Sequence, residues 1–594
     1  MTRTLALAIA SGLLMALALP LAIPWISLRP LDPAGHLELV AWLALVPGLL
    51  ALDRARSWKG ALAVGLAAGL AYFYTAIWWV NHAMTSFGGV AFPVALLGLS
   101  LLVLYMAVHW AAAFAVSFAI RRRLGWPLWT HLPAVWAGFE LLRNYLISGF
   151  PWANLGYTQA RHLAVAQLAS LGGVYAIAAL VVLVNCALHA VARARLERAE
   201  VPWRPVAAAA AAVVATLAYG ASHLSGVRAR AAAAPKLTVA LVQGNVNQSV
   251  KNQARTYADS ILSRYVPLTV EADRRGVDLV AWPEASYPYL VPPRLSSFAG
   301  PRTGLPRLER AHLLLGVATY SERREGDRRV AEGSNSVFLL TPDLTVVGRY
   351  SKHHLVPFGE YVPGWLSGVL RSVVPEMAQQ RPGSELVVLE FPAPRSTANS
   401  TSTANPTSTS TATATPNATS TSTANPTANP SPDPPPSADR VRLAPMICFD
   451  AIFPEVNVAF AGEDPDVLVN PTNDAWYGYS SGPYQFLAIV QMRAIEAGKA
   501  VVRPAYAGVS ALIDPTGEVQ PGALPVGPVD PDLAPDPDEP PRLLIGEVPR
   551  LRGRTLYTTV GDLFAGAASL YGAGALALAL LARRRAAPRE GASS

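Results

Sequence analysis

Three short segments carry the side chains that thiol chemistry needs: Cys448 in "APMICFDAIFPE", Glu284 in "VAWPEASYP", and Lys352 with Glu360 in "YSKHHLVPFGEYVP". A thiol attacks a carbonyl only as the thiolate, and an ordinary pKa of about 8.5 leaves it mostly protonated near neutral pH. It therefore needs a base to take its proton and a positive charge to hold the anion. Glu284 can be the base, because desolvation in an apolar cleft raises the proton affinity of a carboxylate. Lys352 can stabilise the thiolate and the oxyanion that develops on the attacked carbonyl. Each residue also has a plainer reading: an exposed acid after a turn, a solvated lysine, a small buried cysteine. His353 and His354 raise a Cys–His pair or a metal site. No matching second ligand set accompanies them, so neither a metal nor another cofactor is expected.

These residues need a scaffold, and the chain around them reads as α/β. From about 235 to 550, short β-rich runs alternate with longer amphipathic stretches. Expected strands are "KLTVALVQG", "VDLVAWPEA", "AHLLLGVATY", "SNSVFLLTP", "RVRLAPMICF", "PDVLVNPTND" and "AVVRPAYAG"; expected helices cover 257–275 and 482–497. Each candidate residue follows a strand, and strand ends are where such a sheet presents side chains to a cleft. Residues 396–438 are almost wholly Ser, Thr, Ala, Asn and Pro and cannot offset their ordering entropy by apolar burial, so a disordered insertion is expected there. Residues 521–541, rich in Pro, Asp and Gly, read as a second mobile loop.

The remainder is a membrane protein. Of 594 residues, 52% are hydrophobic and only 15% charged, too apolar for an ordinary soluble enzyme. A spanning helix needs about 20 mostly apolar residues. Eight candidate spans lie near 4–27, 37–52, 61–83, 90–120, 129–147, 163–191, 205–223 and 560–582. Basic clusters follow the second, fourth, sixth and eighth of them, which by the positive-inside rule puts both termini in the cytoplasm and the α/β segment outside. The expected division is a transmembrane region at 1–224, an extracytoplasmic catalytic domain at 225–555, and a last span with a basic tail at 556–594. Cys186, the only other cysteine, falls inside the sixth span and reads as a packing residue. The net charge of +8 resides in these membrane-flanking clusters, so nucleic acid is not an expected partner. Glu140 and Arg143, three apart in the fifth span, read as a pair or as part of a headgroup path. Trp152 and Tyr157 read as an interfacial belt.

"WPEAS", "KHHLVPFGEYVP" and "ICFD" resemble the Glu, Lys and Cys motifs of the nitrilase superfamily. Together with the multi-span N-terminal region, "ELLRNYLISGFPWANLGYTQ", "VALVQGNVNQS" and "NPTNDAWYG", they resemble the apolipoprotein N-acyltransferases of the bacterial cytoplasmic (inner) membrane. The resemblance implies an αββα sandwich with Glu284 as base, Lys352 as stabiliser, Cys448 as nucleophile, and Glu360, Phe449 and Asp450 as supporting residues. It implies a phospholipid acyl donor, a Cys448 thioester, and a diacylglyceryl-modified prolipoprotein whose N-terminal amine accepts the chain. The sequence departs from the family pattern in two places. Phe449 and Asp450 stand where many members have Tyr and Glu, and Asn252 stands near a usual Trp. Two other readings stay open: a membrane-tethered nitrilase-type amidase with water as acceptor, and a transporter with an outer binding domain.

Overall fold

The computed structural model describes residues 2–20, 37–246, 248–325, 328–361, 380–393, 440–478, 480–526 and 540–585. The expected insertion at 396–438, the middle of the 521–541 loop and the tail after 585 lie outside the described residues.

Two sheets form the soluble part. The first holds six strands: β1 (Lys236–Gln243), β2 (Leu279–Ala281), β3 (His312–Glu325), β4 (Arg328–Leu340), β5 (Val346–Ser351) and β11 (Arg542–Pro549), in the order β11-β1-β2-β3-β4-β5. The second holds β6 (Leu389–Pro392), β7 (Arg440–Pro445), β8 (Val467–Val469), β9 (Ala500–Arg503) and β10 (Ala511–Ile513), in the order β10-β9-β8-β7-β6. β1, β2 and β3 run parallel, as do β7, β8 and β9, and antiparallel strands close the edges.

Strand side chains alternate between the two faces of a sheet, and here both faces are buried. Leu237, Val239 and Leu241 of β1 join Leu443, Val467 and Val469 in the core between the sheets. Ala240 and Val242 face the other way, against Ile261 and Tyr265 of the helix Ala258–Arg274. Each fully buried aliphatic side chain contributes about 1.5–3 kcal/mol. Helix Pro454–Gly462 packs against helix Gly482–Ala497, and the latter lies on β9 of the second sheet. The latter ends at Gly498, whose φ of +64° supplies the left-handed cap that stops a helix.

The seven expected strands and both expected helices are present, with Gly482–Ala497 matching at both ends. Strands β5, β6, β10 and β11 escaped the sequence reading. All four are edge strands; Gly, Arg, Glu or Pro dilutes the apolar run in β5, β6 and β11, and β10 is only three residues long.

Among the described residues, four helices are long and apolar enough to cross a membrane, or five if a pair bent by 49° counts as one span. They are Phe92–Leu124, Ala169–Glu197, Trp203–Ala233 and Leu563–Ala582, and the bent pair is Trp58–Ala76 with Trp79–Phe87. At three of the eight expected positions the described helices are shorter. Thr2–Leu17 has 16 residues, Val46–Asp53 has 8, and Leu132–Tyr145 has 14. A 14-residue helix spans about 21 Å against a hydrocarbon core of about 30 Å. Leu132–Tyr145 stops because the chain turns sharply, with positive φ at Ile147 and Gly149. Trp203–Ala233 runs on past the expected boundary at 224 and leads directly into β1.

Candidate active site

Glu284 follows β2, Lys352 follows β5 and Cys448 follows β7, so two sheets deliver one cluster at the ends of their strands. The segment after β3's neighbour strand must come very close to reach it. A Cβ on Gly316 of β3 would lie 1.9 Å from the Pro283 carbonyl oxygen, so only glycine lets the Glu284 turn pack there. Cys448 itself has φ +47° and Ala285, next to the acid, φ +44°. Left-handed backbone at non-glycine residues costs roughly 1–3 kcal/mol and persists only where the surroundings enforce it. Around Cys448 the enforcement is visible: its N–H donates to the Pro471 carbonyl at 2.9 Å and that of Met446 to Val469 at 2.8 Å.

The three side chains are buried, at 4% exposure for Glu284, 1% for Lys352 and 7% for Cys448. Lys352 Nζ lies 3.0 Å from Glu284 Oε1 and 2.9 Å from Glu360 Oε1. The Glu284 carboxylate also accepts from Asn335 Nδ2, and its Oε2 accepts from the Asn473 backbone N–H at 2.8 Å. Glu360 Oε2 accepts from the Val356 N–H at 2.8 Å, which fixes the second acid on the Lys352 loop.

Asn473 is held from behind. Asp474 pairs with Arg503 at 2.7 Å, both fully buried, and accepts from Thr472 Oγ1 at 2.8 Å. Breaking such a buried pair by removing one partner leaves an uncompensated charge, so this arrangement rigidifies the 470–474 segment.

Burial raises the Glu284 carboxyl, but the charges of Lys352 and Lys251 and hydrogen bonds from Lys352 and Cys448 outweigh it and hold the group below its ordinary value. The expectation of a desolvated, more basic Glu284 is therefore corrected: two ammonium groups next to it win over burial. Burial lowers Lys352, but Glu284, Glu360 and Cys448 more than reverse this and keep it well above the usual lysine value. Burial and the Glu284 charge push the Cys448 thiol up, with Lys352 opposing. In the resting site the thiol keeps its proton, the acid is ionised and the lysine is charged.

Phe449 points away from the charges, its ring 6.2 Å from Phe150 and 5.2 Å from Phe453. Phe150 stacks 6.1 Å from Trp152, which lies 4.9 Å from Trp79. An aromatic wall thus runs from the apolar N-terminal helices to the residue after Cys448. Gln485 ties the two parts together: its Oε1 accepts from Trp152 Nε1 at 2.8 Å and its Nε2 donates to the Ala76 carbonyl at 2.9 Å.

Residues 11–187 match the family model for the apolipoprotein N-acyltransferase N-terminal domain, and residues 238–526 match that for carbon-nitrogen hydrolase. An apolipoprotein N-acyltransferase of Geobacter metallireducens is 32% identical over 591 residues, 98% of this chain and 96% of the relative. The chain belongs to the apolipoprotein N-acyltransferase family. A second relative of that name, from Azotobacter vinelandii, is 32% identical over 86% of this chain and 85% of its own. Among solved structures, an amidase of the nitrilase superfamily from Nesterenkonia AN1 aligns with 56% of this chain and 96% of its own, at 16% identity and a TM-score of 0.30.

Within this acyltransferase scaffold, Asp450 has a role that sequence reasoning gave only by resemblance. It accepts from the His354 N–H at 2.7 Å, the His353 N–H at 3.2 Å, Tyr350 Oη at 2.8 Å and the Ile447 N–H at 3.0 Å. It therefore fastens the Lys352 loop to the Cys448 turn. Burial pushes its carboxyl up to about 7, against four donors that favour the ionised form. Asp450→Asn places an amide NH2 against these donors. The expected result is a loss of roughly tenfold to a hundredfold in thiol acylation, measured in single turnover, through misplacement of Lys352.

His353 and His354 do not enter the cluster. The His353 ring meets the Gly383 carbonyl at 3.0 Å, and the His354 ring stacks 3.9 Å from Phe453. Asn252 is exposed and accepts from Gln248 Nε2 at 2.8 Å. Trp152 and Tyr157 are buried at the seam between the two parts, instead of forming a lipid-facing belt. Glu140 and Arg143 do not bond to each other. Glu140 accepts from the Leu155 N–H at 2.9 Å and Arg143 donates to Asn154, so both hold the loop that carries Trp152. Cys186 is buried within its helix. Asn335, Asn473 and Lys251 were missed as site residues. Asn473 lies inside "NPTNDAWYG" and Lys251 two residues beyond "VALVQGNVNQS", but nothing in their type or spacing distinguishes a backbone donor or a buried ammonium from an ordinary loop residue.

Proposed function

We propose that this chain transfers an acyl chain from a phospholipid to the N-terminal amine of a diacylglyceryl-modified prolipoprotein, through a thioester on Cys448. The observation that carries the reading is the position of the thiol. On one side it meets Glu284 and Lys352; on the other, Phe449 continues an aromatic wall supplied by Phe150, Trp152 and Trp79. An acyl chain arriving from a bilayer meets apolar surface up to the reacting carbonyl, and the charges begin there.

In the first half-reaction Cys448 Sγ bonds to the ester carbonyl carbon while Glu284 takes the thiol proton. Lys352 offsets the negative charge on the carbonyl oxygen. The carbon–oxygen ester bond then breaks, Glu284 returns the proton to the leaving oxygen, and lysophospholipid departs. In the second, the acceptor amine attacks the thioester, Glu284 takes its proton, and the thiolate leaves beside Lys352 and is reprotonated. Glu360 and Asn335 orient Lys352 and Glu284 throughout. No cofactor takes part in any step.

The proposed organisation has residues 1–224 and 556–594 as membrane anchor and 225–555 as the catalytic domain on the outer face of the cytoplasmic membrane, with the basic clusters inside. Exported lipoproteins present their N-termini on that face.

Purified full-length protein given phospholipid and a synthetic diacylglyceryl-cysteine lipopeptide is expected to yield N-acylated lipopeptide and lysophospholipid in equal amounts. Free fatty acid without acylated lipopeptide would instead identify a hydrolase with water as acceptor.

A further inference from the structure

A second ammonium group reaches the site from an unexpected direction. Lys251, at the end of the short turn Gln248–Lys251, donates through Nζ to the backbone carbonyl of Glu284 at 3.0 Å. With its amide turned so that the oxygen faces Lys251, Asn473 accepts from the same Nζ at 2.9 Å and from Trp476 Nε1 at 3.0 Å; in the other orientation its Nδ2 donates to Gln248 Oε1 at 2.8 Å. The ammonium also sits 4.3 Å from the centre of the Tyr506 ring. The residue as a whole is half-buried, and its ammonium is bounded by the Glu284 carbonyl, Asn473 and the Tyr506 ring. Among the described residues, no carboxylate is paired with it in a direct salt bridge.

This geometry joins Lys251 to Glu284 twice. It binds the carbonyl of Glu284 directly, and it binds the side chain of Asn473, whose own N–H donates to Glu284 Oε2. The titratable and charged groups that bear on Lys251 are Glu284, Cys448, Lys352 and Glu360. Those that bear on Glu284 are Lys352, Lys251 and Cys448, with Asp474 on the far side of Asn473.

We propose that Lys251 is a positioning residue whose charge sets how readily Glu284 takes a proton, and so sets the pH range over which Cys448 is acylated. The inference rests on the reading of Glu284 as the base. Burial brings the Lys251 ammonium down to about 8, so it is still charged through the acidic and neutral range in which Glu284 must stay ionised. A positive charge close to a carboxyl favours the ionised form and lowers its pKa by ~1–3 units. Removing that charge raises the pKa of Glu284, and the acidic limb of the acylation profile moves to higher pH.

The test is the single-turnover rate of Cys448 acylation across pH, with full-length protein in detergent micelles and a phosphatidylethanolamine bearing a fluorescent acyl chain. Lys251→Gln keeps a donor for the Glu284 carbonyl and removes the charge; Lys251→Arg keeps the charge. The acidic limb is expected to move up by about one pH unit or more in Lys251→Gln and to stay in place in Lys251→Arg. A uniformly slower Lys251→Gln with an unmoved limb would overturn the proposal and leave Lys251 a packing residue. If Lys251→Gln extracts as unfolded protein, Lys251→Met in the same assay decides by the same criterion, and thermal midpoints of all three variants separate misfolding from a shifted limb. Absence of acylation in the wild-type protein would count against the base reading itself, which keeps the two failures distinct.

Discussion

Cys448→Ala is expected to abolish both formation of the acyl-enzyme and transfer to the lipopeptide, while leaving the fold intact. The substitution removes one sulfur atom from a residue that is 7% exposed. The turn that holds it is set by backbone bonds to Pro471 and Val469 and by Asp450, none of which involves the sulfur. Without the thiol there is no atom at that position to hold an acyl chain, and loss of a covalent nucleophile typically removes nearly all turnover. Cys186→Ala should be silent in the same assays, because that thiol sits in a helix within the membrane segment and packs against apolar neighbours. Acyl transfer at the wild-type rate by Cys448→Ala would end the thioester account.

The partners of the thiol have the next largest expected effects. Lys352→Met keeps the length of the side chain and deletes a charge that touches both Glu284 and Glu360. Two buried carboxylates are then left without their common cation, so one of them takes up a proton and the developing oxyanion loses its stabiliser. A fall of roughly a hundredfold to a thousandfold in single-turnover acylation is expected. Glu284→Gln keeps the shape and the bonds to Asn335 and Asn473 available but cannot accept the thiol proton, and should cost roughly a hundredfold or more. The two variants differ in pH behaviour. Glu284→Gln should lose the acidic limb altogether, whereas Lys352→Met should move it upward, because the cation that depresses Glu284 has gone. Unchanged acylation in either variant would remove that residue from the mechanism.

The placement of the candidate side chains was more legible in the sequence than their electrostatics. Glu284 and Cys448 are each close behind a strand with a strong apolar pattern, Lys352 follows the weaker β5, and the two sheets bring those strand ends together. Short, nearly continuous apolar runs, buried on both faces, made β1, β3 and β7 easy to read. The edge strands were not, since β5 carries Gly348 and Arg349 and β6 is only Leu389–Pro392. The direction of the Glu284 shift was misjudged because Lys251 enters from a different segment, and a linear sequence does not show which lysine ends are enclosed. Asn473 acts through its backbone N–H, a group every residue but proline possesses. The membrane helices posed a different problem: hydropathy locates apolar stretches but not breaks such as the bend between Trp58–Ala76 and Trp79–Phe87. That bend brings Trp79 to the seam with Gln485, where the helix Gly482–Ala497 is fixed.

The central claim is that Cys448 holds the acyl chain. Intact mass of the purified full-length protein, incubated with phospholipid and no acceptor, tests it directly. The expected result is an increment of one acyl group that hydroxylamine removes, that maps to the peptide containing Cys448, and that disappears on adding diacylglyceryl-cysteine lipopeptide as acylated product accumulates. Product formation at full rate with no acyl increment on Cys448 at any time, even under rapid quenching, would contradict the account.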